Sequence, residues 1–304
     1  MSAASATADV PLESGALGRP IRGPSALGSD PRRLWHLTWT LARTEFKLTF
    51  FGSVLGYLWH LMRPLLLFGV IYLVLSSSKG LRASWGAGEF FAAALLLGIV
   101  LFTYFSESSA GAVTSLVNRE ALVRKIEFPR LAVPLSIVLT ALLNLTLNLV
   151  PVLIFLLAAG GSPSWSWLEL PLLVAGLALF SVGLGMVLSV GFVRYRDVQP
   201  IWEVVLQATF YASGIFIAIA NPKAPLKVTI FGQQINLSHV LMANPFAAIL
   251  QQARHAFISP TYPTATQAIG GGLLILIPVG IAVATLVVGF IVFDRQAPYV
   301  AEQL

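Results

Sequence analysis

The stretch VNREALVRKIEFPR, residues 117–130, gathers charged side chains between two long apolar runs. Its charged residues are Arg119, Glu120, Arg124, Lys125, Glu127 and Arg130. The whole 304-residue chain is 57% hydrophobic and only 11% charged, whereas soluble domains contain about 25% charged residues. A charged island between apolar runs indicates a loop that joins two membrane-spanning helices. Within it the sequence predicts a short helix of mixed charge over residues 119–127, with Asn118 as its cap and Phe128-Pro129 as its stop.

The apolar runs on both sides of this loop reach the length that a helix needs to cross a bilayer, about 20 residues. Transmembrane strands would instead give alternating segments of about ten residues. Working outward, the chain predicts six spans, at about 55–76, 89–116, 131–158, 167–193, 200–220 and 269–293. The expected fold is an all-α integral membrane protein, with a 1–30 tail and a six-span transmembrane domain over 31–304.

The distribution of basic residues predicts how the chain is oriented. Residues 1–30 are rich in Ser, Ala, Gly and Pro and lack the apolar core of a signal peptide, so we expect a disordered tail. Most basic residues fall before span one, in the 117–130 and 194–199 loops and after span six. The positive-inside rule then places both termini in the cytoplasm of a multi-pass protein of the cytoplasmic membrane. This orientation accounts for the basic pI without a nucleic-acid partner.

A basic amphipathic helix is predicted over 31–47, before the first span. Asp30 is a suitable cap, and Pro31 suits the first helical position. An apolar stripe on this helix contains Trp35, Trp39, Ala42 and Phe46, and an adjacent polar stripe contains His36, Thr40, Arg43 and Lys47. Such a helix is typical of the membrane interface, and the alternative is a helix packed on a soluble partner.

The segment between spans five and six, residues 221–268, is the longest one on the opposite side of the membrane. Its first half predicts an irregular or hairpin-like loop. Its second half, ANPFAAILQQARHAFIS, offers Asn244 as a cap and Pro245 in the first turn of a helix. This helix is too short and too polar to span, so we expect short re-entrant helices here, with another near 237–243.

No catalytic set is present in the sequence. A P-loop requires Gly-Lys-Ser/Thr, and no lysine follows a glycine. The chain has no cysteine, and its four histidines have no metal-ligand spacing. We therefore expect a protein that is not an enzyme, and that takes any energy for transport from a gradient or from another subunit.

Two charges lie well inside the predicted spans, Arg63 on span one and Glu107 on span two. The two spans run antiparallel, so these residues can lie at similar depth. Charged groups at such depth are usually paired or functional. We expect an ion pair or a hydrogen bond to a transport path, and the alternative is that Arg63 extends alone to the interface.

Aromatic and polar side chains recur on the first three spans. Span one carries Tyr57, Phe68 and Tyr72 near one face, span two carries Phe91, Phe102 and Phe105, and span three carries Thr140, Asn144 and Asn148. An aromatic lane would suit a sugar polymer, whose C–H faces stack on rings while it moves; helix packing or lipid contact is the alternative.

The polar stripe on span three indicates hydrogen bonds between helices or a polar lining of the path. Small residues on span four, Ser181, Gly185 and Ser189, indicate close helix approach.

Four segments together resemble a known family. They are FFGSVLGYLWHLMRPLLLFGVIYLVL (50–75), NREALVRKIEFPR (118–130), RYRDVQP (194–200) and NPFAAILQQAR (244–254). They resemble, in the same order, the permease subunit of polysaccharide-exporting ABC transporters, which includes exporters of O-antigen, capsule, teichoic acid and galactan. The resemblance covers about residues 30–295.

This resemblance implies a homodimer with six spans per protomer and two separate ATPase subunits. ATP and Mg would bind to those subunits, with no cofactor in this chain, and the cargo would be an undecaprenyl-linked polysaccharide. By the same resemblance, coupling to the ATPase would involve Arg119, Glu120, Arg124, Lys125, Glu127, Trp35 and Arg43. The substrate path would include Tyr57, Phe68, Tyr72, Phe102, Phe105 and Asn144, and a gate segment would include Asn244, Pro245, Phe246 and Arg254.

Two rival functions stay open at this point. A related ABC permease for drug or lipid efflux would share the topology and differ in its cargo. An ion-gradient-driven carrier or channel would work without an ATPase and would depend on Arg63, Glu107 or His60. The absence of inverted repeats and of paired acids in the middle of the spans counts against the second rival.

Overall fold

The computed structural model describes residues 30–50, 56–77, 90–123, 128–216, 227–230 and 233–303, and most of them are helical. In chain order the helices are α1 Pro31–Phe50, α2 Gly56–Ser77, α3 Phe91–Asn118, α4 Glu120–Val123, α5 Ala132–Ala158, α6 Glu169–Arg194, α7 Val198–Ala212, α8 Leu237–Met242, α9 Pro245–Ala253, α10 Ala265–Ile269 and α11 Leu276–Gln303. A 3₁₀ turn, Trp165–Leu168, precedes α6, and a π-helical turn, Arg254–Ile258, continues α9. The tail predicted over 1–30 lies outside the described residues, except for Asp30.

Five of the described helical segments are long and apolar enough to cross a membrane. They are Leu58–Ser77, Phe91–Asn118, Ala132–Ala158, Trp165–Arg194 and Leu276–Ala297. The chain is therefore a multi-pass helical membrane protein, as the sequence predicted. The first four agree with their predicted bounds to within a few residues, because the length of an apolar run directly reflects the thickness of the bilayer.

The fifth predicted span, 200–220, is wrong in its length. Helix α7 has 15 residues, which is about 22 Å at 1.5 Å per residue and less than the ~30 Å hydrocarbon core. The chain turns at Gly214, whose φ of 76° lies in the left-handed region that glycine adopts readily. Within the described residues, α7 alone does not complete a sixth crossing.

The start of the last span is also wrong in the prediction, which placed it at residue 269. Residues 265–269 form a separate short helix, α10, that ends at Gly270 with a φ of 94°. The consecutive glycines at 270–272 favour this break. Helix α11 begins only at Leu276 and continues to Gln303, about ten residues past the predicted end.

The segment between α7 and α11 contains the predicted hairpin and short helices. Strand β1, Lys227–Ile230, pairs antiparallel with β2, Gln233–Asn236, and Lys227 lies opposite Asn236. The side chain of Asn236 caps α8, and the side chain of Asn244 caps α9. The two strands depart from the predicted all-α fold class, although the sequence did predict an irregular or hairpin-like loop at this place.

Helix α3 lies at the centre of the described helices, in contact with α2, α5, α6 and α7. Its residues 93–101 are almost fully buried and form the middle of the main apolar core. A second core lies where α3 ends, and it joins α1, α4 and the adjacent ends of α5, α6 and α11. The described residues therefore form one core within the membrane spans, another at the end that carries α1, and a small third one where α8, α9 and α10 meet.

Helices α6 and α11 approach each other closely. A Cβ atom built on Gly183 would lie 2.8 Å from the Cα atom of Leu286, so only glycine fits there. The predicted small-residue stripe is buried, but its Gly185 faces Ala112 on α3. The prediction of close approach on α6 is correct, whereas the glycine that contacts α11 lies two positions away from the stripe.

Candidate substrate cavity and its flanking segments

A cavity of about 720 Å³ lies between α2, α3 and α7. Its walls combine charged, hydroxyl, amide and aromatic side chains. The lining residues are Arg63, Pro64, Leu67, Phe102, Thr103, Ser106, Glu107, Ala110, Gly111, Glu203, Leu206, Gln207 and Phe210. Both intramembrane charges singled out in the sequence, Arg63 and Glu107, therefore line one space.

Glu107 is held at the edge of this cavity by polar neighbours. One carboxylate oxygen, Oε1, lies 3.8 Å from Nε2 of His60. The other, Oε2, accepts a hydrogen bond of 3.4 Å from Nδ2 of Asn144. The hydrogen bond between helices expected for the polar stripe of α5 is thus present at Asn144.

The predicted ion pair between Arg63 and Glu107 is wrong for the described residues, which contain no salt bridge between them. His60 lies one helical turn before Arg63 and approaches Glu107 instead. The side chain of Arg63 is exposed and lies on the cavity wall. It is therefore placed to meet a ligand in the cavity.

Helix α7 supplies the wall that faces α2. Glu203 and Gln207 line the cavity, and Gln199 donates a 3.2 Å hydrogen bond to the Glu203 carboxylate. Trp202 anchors the helix to α3, because its indole Nε1 donates to Oγ of Ser109 at 3.1 Å. One arginine and two carboxylates thus share the cavity, together with an amide and two hydroxyls.

Two aromatic rings, Phe102 and Phe210, line the cavity, with their centroids 4.8 Å apart. Phe102 belonged to the predicted path, whereas Phe210 did not. A signal for it was present in the sequence, because Glu203, Leu206, Gln207 and Phe210 are spaced as one helical face. This face of α7 mixes polar and apolar residues, so it does not stand out as an apolar stripe.

The other described aromatic residues of the predicted path pack within the protein. The ring of Phe68 contacts that of Phe155 at 5.3 Å, and the ring of Tyr72 stacks on Phe91 at 5.9 Å. Phe105 is buried and stacks on Phe180 at 5.7 Å. Within one chain these rings therefore pack against other helices, which is the alternative that the sequence left open for the aromatic stripes. The side chain of Tyr57 lies outside the described residues.

The predicted gate segment lies at one end of the cavity. Asn244 accepts a 3.0 Å hydrogen bond from the backbone N–H of Phe246, with Pro245 in the first turn, so α9 begins as predicted. The fully buried ring of Phe246 contacts Phe102 edge to face at 5.6 Å. The lining residues of α3 run from 102 to 111. Helix α9 therefore covers the end of the cavity nearer the hairpin.

Arg254, also predicted in the gate segment, is only 2% exposed. Its guanidinium donates a 2.9 Å hydrogen bond to the carbonyl of Gly214, at the end of α7. A Cβ atom on Gly98 of α3 would lie 3.1 Å from the same group. The residue ties the π-helical turn to both α3 and α7.

The opposite end of the molecule carries the residues predicted to couple to an ATPase. Arg119 pairs with the Glu45 carboxylate of α1 and donates a 2.7 Å hydrogen bond to Oγ of Ser136 on α5. Thr140 of α5 donates to the carbonyl of Ala42 at 3.3 Å. Helix α1 is thus fixed against the membrane helices, and Arg119 is one of the groups that hold it.

The face of α1 that packs inward contains Leu34, Thr38 and Ala42, all buried. Trp35 and Trp39 are 59% and 41% exposed, and Arg43 is also exposed. A helix is present over the predicted range 31–47, as part of α1, but its tryptophans point away from the core. They are available to the membrane interface or to a partner.

The helix predicted over 119–127 is only partly described. Asn118 ends α3 and donates to Oγ1 of Thr114 at 3.1 Å, so its predicted role as the cap of the next helix is wrong. Helix α4 covers Glu120–Val123, and Arg124, Lys125 and Glu127 lie outside the described residues. The coupling roles of these residues stay predictions.

Comparison with known proteins places this helical membrane protein in a family of transport subunits. The model of the family described as "ABC-2 type transporter" matches residues 36–244, more than half of the chain. The chain therefore belongs to the ABC-2 type transporter family.

Curated relatives point in the same direction. The chain is 24% identical over 229 residues to an O-antigen export system permease protein of Klebsiella pneumoniae, covering 75% of this chain and 82% of the relative. It is 26% identical over 226 residues to the protein of the same name from Myxococcus xanthus, covering 74% and 82%. These matches confirm the resemblance to polysaccharide-exporting permeases. An ABC-2 permease pairs with a separate ATPase subunit and is the membrane part of the transporter.

Proposed function

We propose that this chain is the membrane subunit of an ABC exporter that moves an undecaprenyl-linked, O-antigen-like polysaccharide across the cytoplasmic membrane. A separate subunit would bind Mg and ATP and hydrolyse the nucleotide. The observation that carries the choice of cargo is the cavity between α2, α3 and α7, taken together with the similarity to O-antigen export permeases.

The chemistry of the cavity suits a glycan. Carboxylates at Glu107 and Glu203 accept hydrogen bonds from hydroxyl groups, and Gln207 can both donate and accept. The rings of Phe102 and Phe210 offer apolar faces to sugar C–H groups. Because two carboxylates outnumber the one arginine, the site favours neutral hydroxyl-rich units over a polyanion.

A homodimer would complete this path. Helix α7 has one buried residue, Leu206, in the single chain, while apolar Ile201, Val204 and Tyr211 are each more than 60% exposed. Helix α2 is similarly open, with Val70 and Leu73 more than 60% exposed. A second copy that packs on α2 and α7 would enclose the cavity from its open side.

The re-entrant arrangement of the segment after α7 is supported by the depth that α9 reaches. Phe246 contacts the ring of Phe105 at 5.3 Å. Phe105 lies 14 residues after Phe91, which is about 21 Å along α3. A helix that reaches this depth enters the membrane from the hairpin side. Helix α7, which is too short to cross alone, would then make the sixth crossing together with the segment up to α10.

The orientation and coupling follow from the sequence and from the second core. We place α1, α4 and both termini in the cytoplasm, as the basic residues indicate. Docking of the ATPase on α4 and on the exposed face of α1 would then move α3 and α5, to which α1 is bound through Glu45, Arg119 and Ser136.

A reconstitution experiment tests the division of labour. The permease alone should show no ATP hydrolysis, and turnover should appear with its ATPase subunit. Replacing Glu120, Arg124 and Lys125 together with alanine should uncouple ATP turnover from export. The matched control is Arg196→Ala, which removes an exposed charge from the 194–199 loop on the same side. Full turnover and export in the triple variant would contradict the coupling assignment.

A depletion experiment tests the cargo. Loss of the permease should leave lipid-linked glycan inside the cell, where it can be extracted and separated by size. A drug or lipid exporter predicts no such accumulation. An ion-driven carrier predicts transport that continues without the ATPase subunit, and that outcome would overturn the proposal.

A further inference from the structure

A second cavity, of about 540 Å³, lies between α6, α9 and α11. We call it the lateral groove. Its walls are the first turns of α6, one face of α9 and the first turns of α11. The lining residues are Leu172, Leu173, Gly176, Leu179, Phe180, Pro245, Ala248, Ile249, Gln252, Thr264, Ala265, Thr266, Ile275, Pro278, Val279, Ala282, Val283 and Leu286.

The length of the lateral groove matches one leaflet of a bilayer. Its α6 wall runs over residues 172–180 and its α11 wall over 275–286. At 1.5 Å per residue these walls are about 12 Å and 16 Å long. Half of a ~30 Å hydrocarbon core is about 15 Å. The groove thus runs from the hairpin side of the membrane to about its middle.

The polarity of the groove matches the two ends of a lipid. No lining side chain is charged, and nearly all are apolar. The polar ones, Gln252, Thr264 and Thr266, belong to the segment before α11, at the end where both spans begin. A molecule with a hydrocarbon tail and a polar head would therefore meet matching surfaces along its whole length.

The groove also faces the lipid phase. Both long walls are membrane spans, and their lining residues Leu172, Leu179 and Val283 are each more than half exposed. An open apolar cavity between two such helices is accessible to the acyl chains of the surrounding bilayer. Its volume lies in the range of small-molecule sites, about 300–1,000 Å³.

We infer that the lateral groove binds one acyl chain of a phospholipid from the leaflet on the hairpin side, with the lipid head group near Thr264 and Thr266. This site is separate from the substrate cavity and does not depend on the identity of the exported cargo. A glycan is a poor occupant, because the walls offer it almost no hydrogen-bond partners.

Photolabelling tests the site directly. The permease with its ATPase subunit is placed in vesicles of phosphatidylethanolamine that contain a trace of the same lipid with a diazirine on the acyl chain. After irradiation, labelled peptides are identified by mass spectrometry. Label should concentrate on residues 172–180 and 275–286, above the level on the lipid-exposed surface of α5 around Val150 and Ile154.

A filling substitution gives the decisive comparison. A Cβ atom on Gly176 meets no atom within 4 Å, so Gly176→Trp places its ring in the groove without a backbone clash. Labelling of the groove walls should fall roughly fivefold or more, since a filled space leaves no room for the chain. The control Gly280→Trp starts from a glycine of α11 that also meets no atom within 4 Å but does not line the groove, and it should leave labelling unchanged.

Ala248→Leu, on the α9 wall, fills the groove from the other side and keeps the test valid if Gly176→Trp does not accumulate. Unchanged labelling in both filling variants would overturn the proposal. So would labelling of the groove that does not exceed that of α5, because it would mean that the groove is filled by a second copy or another segment of the chain, or holds only bulk lipid.

Discussion

The substrate cavity and the lateral groove are of similar size, about 720 and 540 Å³, and α9 lies at the boundary of both. Phe246 of α9 contacts the ring of Phe102 on the cavity wall, while Ala248 and Ile249 of the same helix line the groove. The cavity holds three ionisable side chains, whereas the groove holds none. In a membrane protein both regions appear as concave surfaces, so the polar content of the lining, and not the volume, separates a hydrophilic path from a lipid site.

The largest effect should come from reversing a charge in the cavity. Glu107→Lys removes the carboxylate that holds Asn144 and approaches His60, and it places a second cation near Arg63. We expect surface glycan to fall about tenfold or more, because a reversed charge inside a membrane span is costly and disrupts the polar contacts of the cavity. The amount of extracted surface polysaccharide per permease measures this.

Gly176→Leu is the matched change in the groove, and export in this variant should stay close to that of the wild type. If Glu107→Lys exported normally, or if Gly176→Leu lowered export as strongly, the functional contrast between the two regions would be lost.

The next effect concerns the segment that holds α9 in place. Arg254→Met removes the hydrogen bond from a buried cation to the carbonyl of Gly214, which should lower stability by about 2–3 kcal/mol. The midpoint of thermal unfolding of the purified permease in detergent measures the change. Arg196→Met, at an exposed position, is the control and should cost less than about 0.5 kcal/mol. If the unfolding midpoint fell equally in both variants, Arg254 would not have the structural role proposed for it.

A third prediction concerns the closed end of the groove. Gly183→Leu would push α6 away from α11, since even a Cβ atom would lie 2.8 Å from Leu286 Cα. Overpacking of this kind costs about 1–3 kcal/mol. Gly176→Leu, two turns earlier on α6, has free space and should change stability by less than about 0.5 kcal/mol. Comparing the unfolding midpoints of the two variants tests this prediction. A larger loss of stability for Gly176→Leu than for Gly183→Leu would contradict the geometry of the two glycines.

The smallest effect should come from the polar end of the groove. Gln252 donates to the Glu169 carboxylate at 2.9 Å and accepts from the backbone N–H of Ala265 at 3.1 Å. Gln252→Leu should lower stability by about 1 kcal/mol, because both partners lose a hydrogen bond. Gln207→Leu makes the same change in the cavity, where it should reduce export more than stability. Export and the unfolding midpoint are measured on both variants. If Gln252→Leu mainly reduced export and Gln207→Leu mainly reduced stability, the two regions would have been assigned wrongly.

Features that depend on local chemistry were predictable. Four spans appeared close to their expected bounds, because run length alone defines them. The starts of α1 and α9 followed from a capping Asp30 or Asn244 with proline next in sequence. The end of α7 and the start of α11 were missed, since a glycine in the left-handed conformation is not distinguishable in sequence from a glycine inside a membrane helix.

The candidate site was predictable only in part. Arg63, Glu107 and Phe102 were singled out and do share one cavity. Phe210 and Glu203 were not expected there. Which side of α7 faces α3 depends on tertiary contacts, such as that of Trp202 with Ser109, and the sequence does not show them. Arg119 was expected to face a partner, and the structure binds it to Glu45 and Ser136.

The sequence by itself determined that the chain is a multi-pass helical membrane protein, where most spans lie, and which family it resembles. Those properties depend on apolar run length, caps and short motifs, all of which are local. Only the tertiary structure decided that His60 and not Arg63 approaches Glu107, and that two concave regions of opposite character meet at α9. Helical periodicity gives the angle between residues on one helix, but the rotation of each helix against its neighbours is set by close packing and by hydrogen bonds between distant residues.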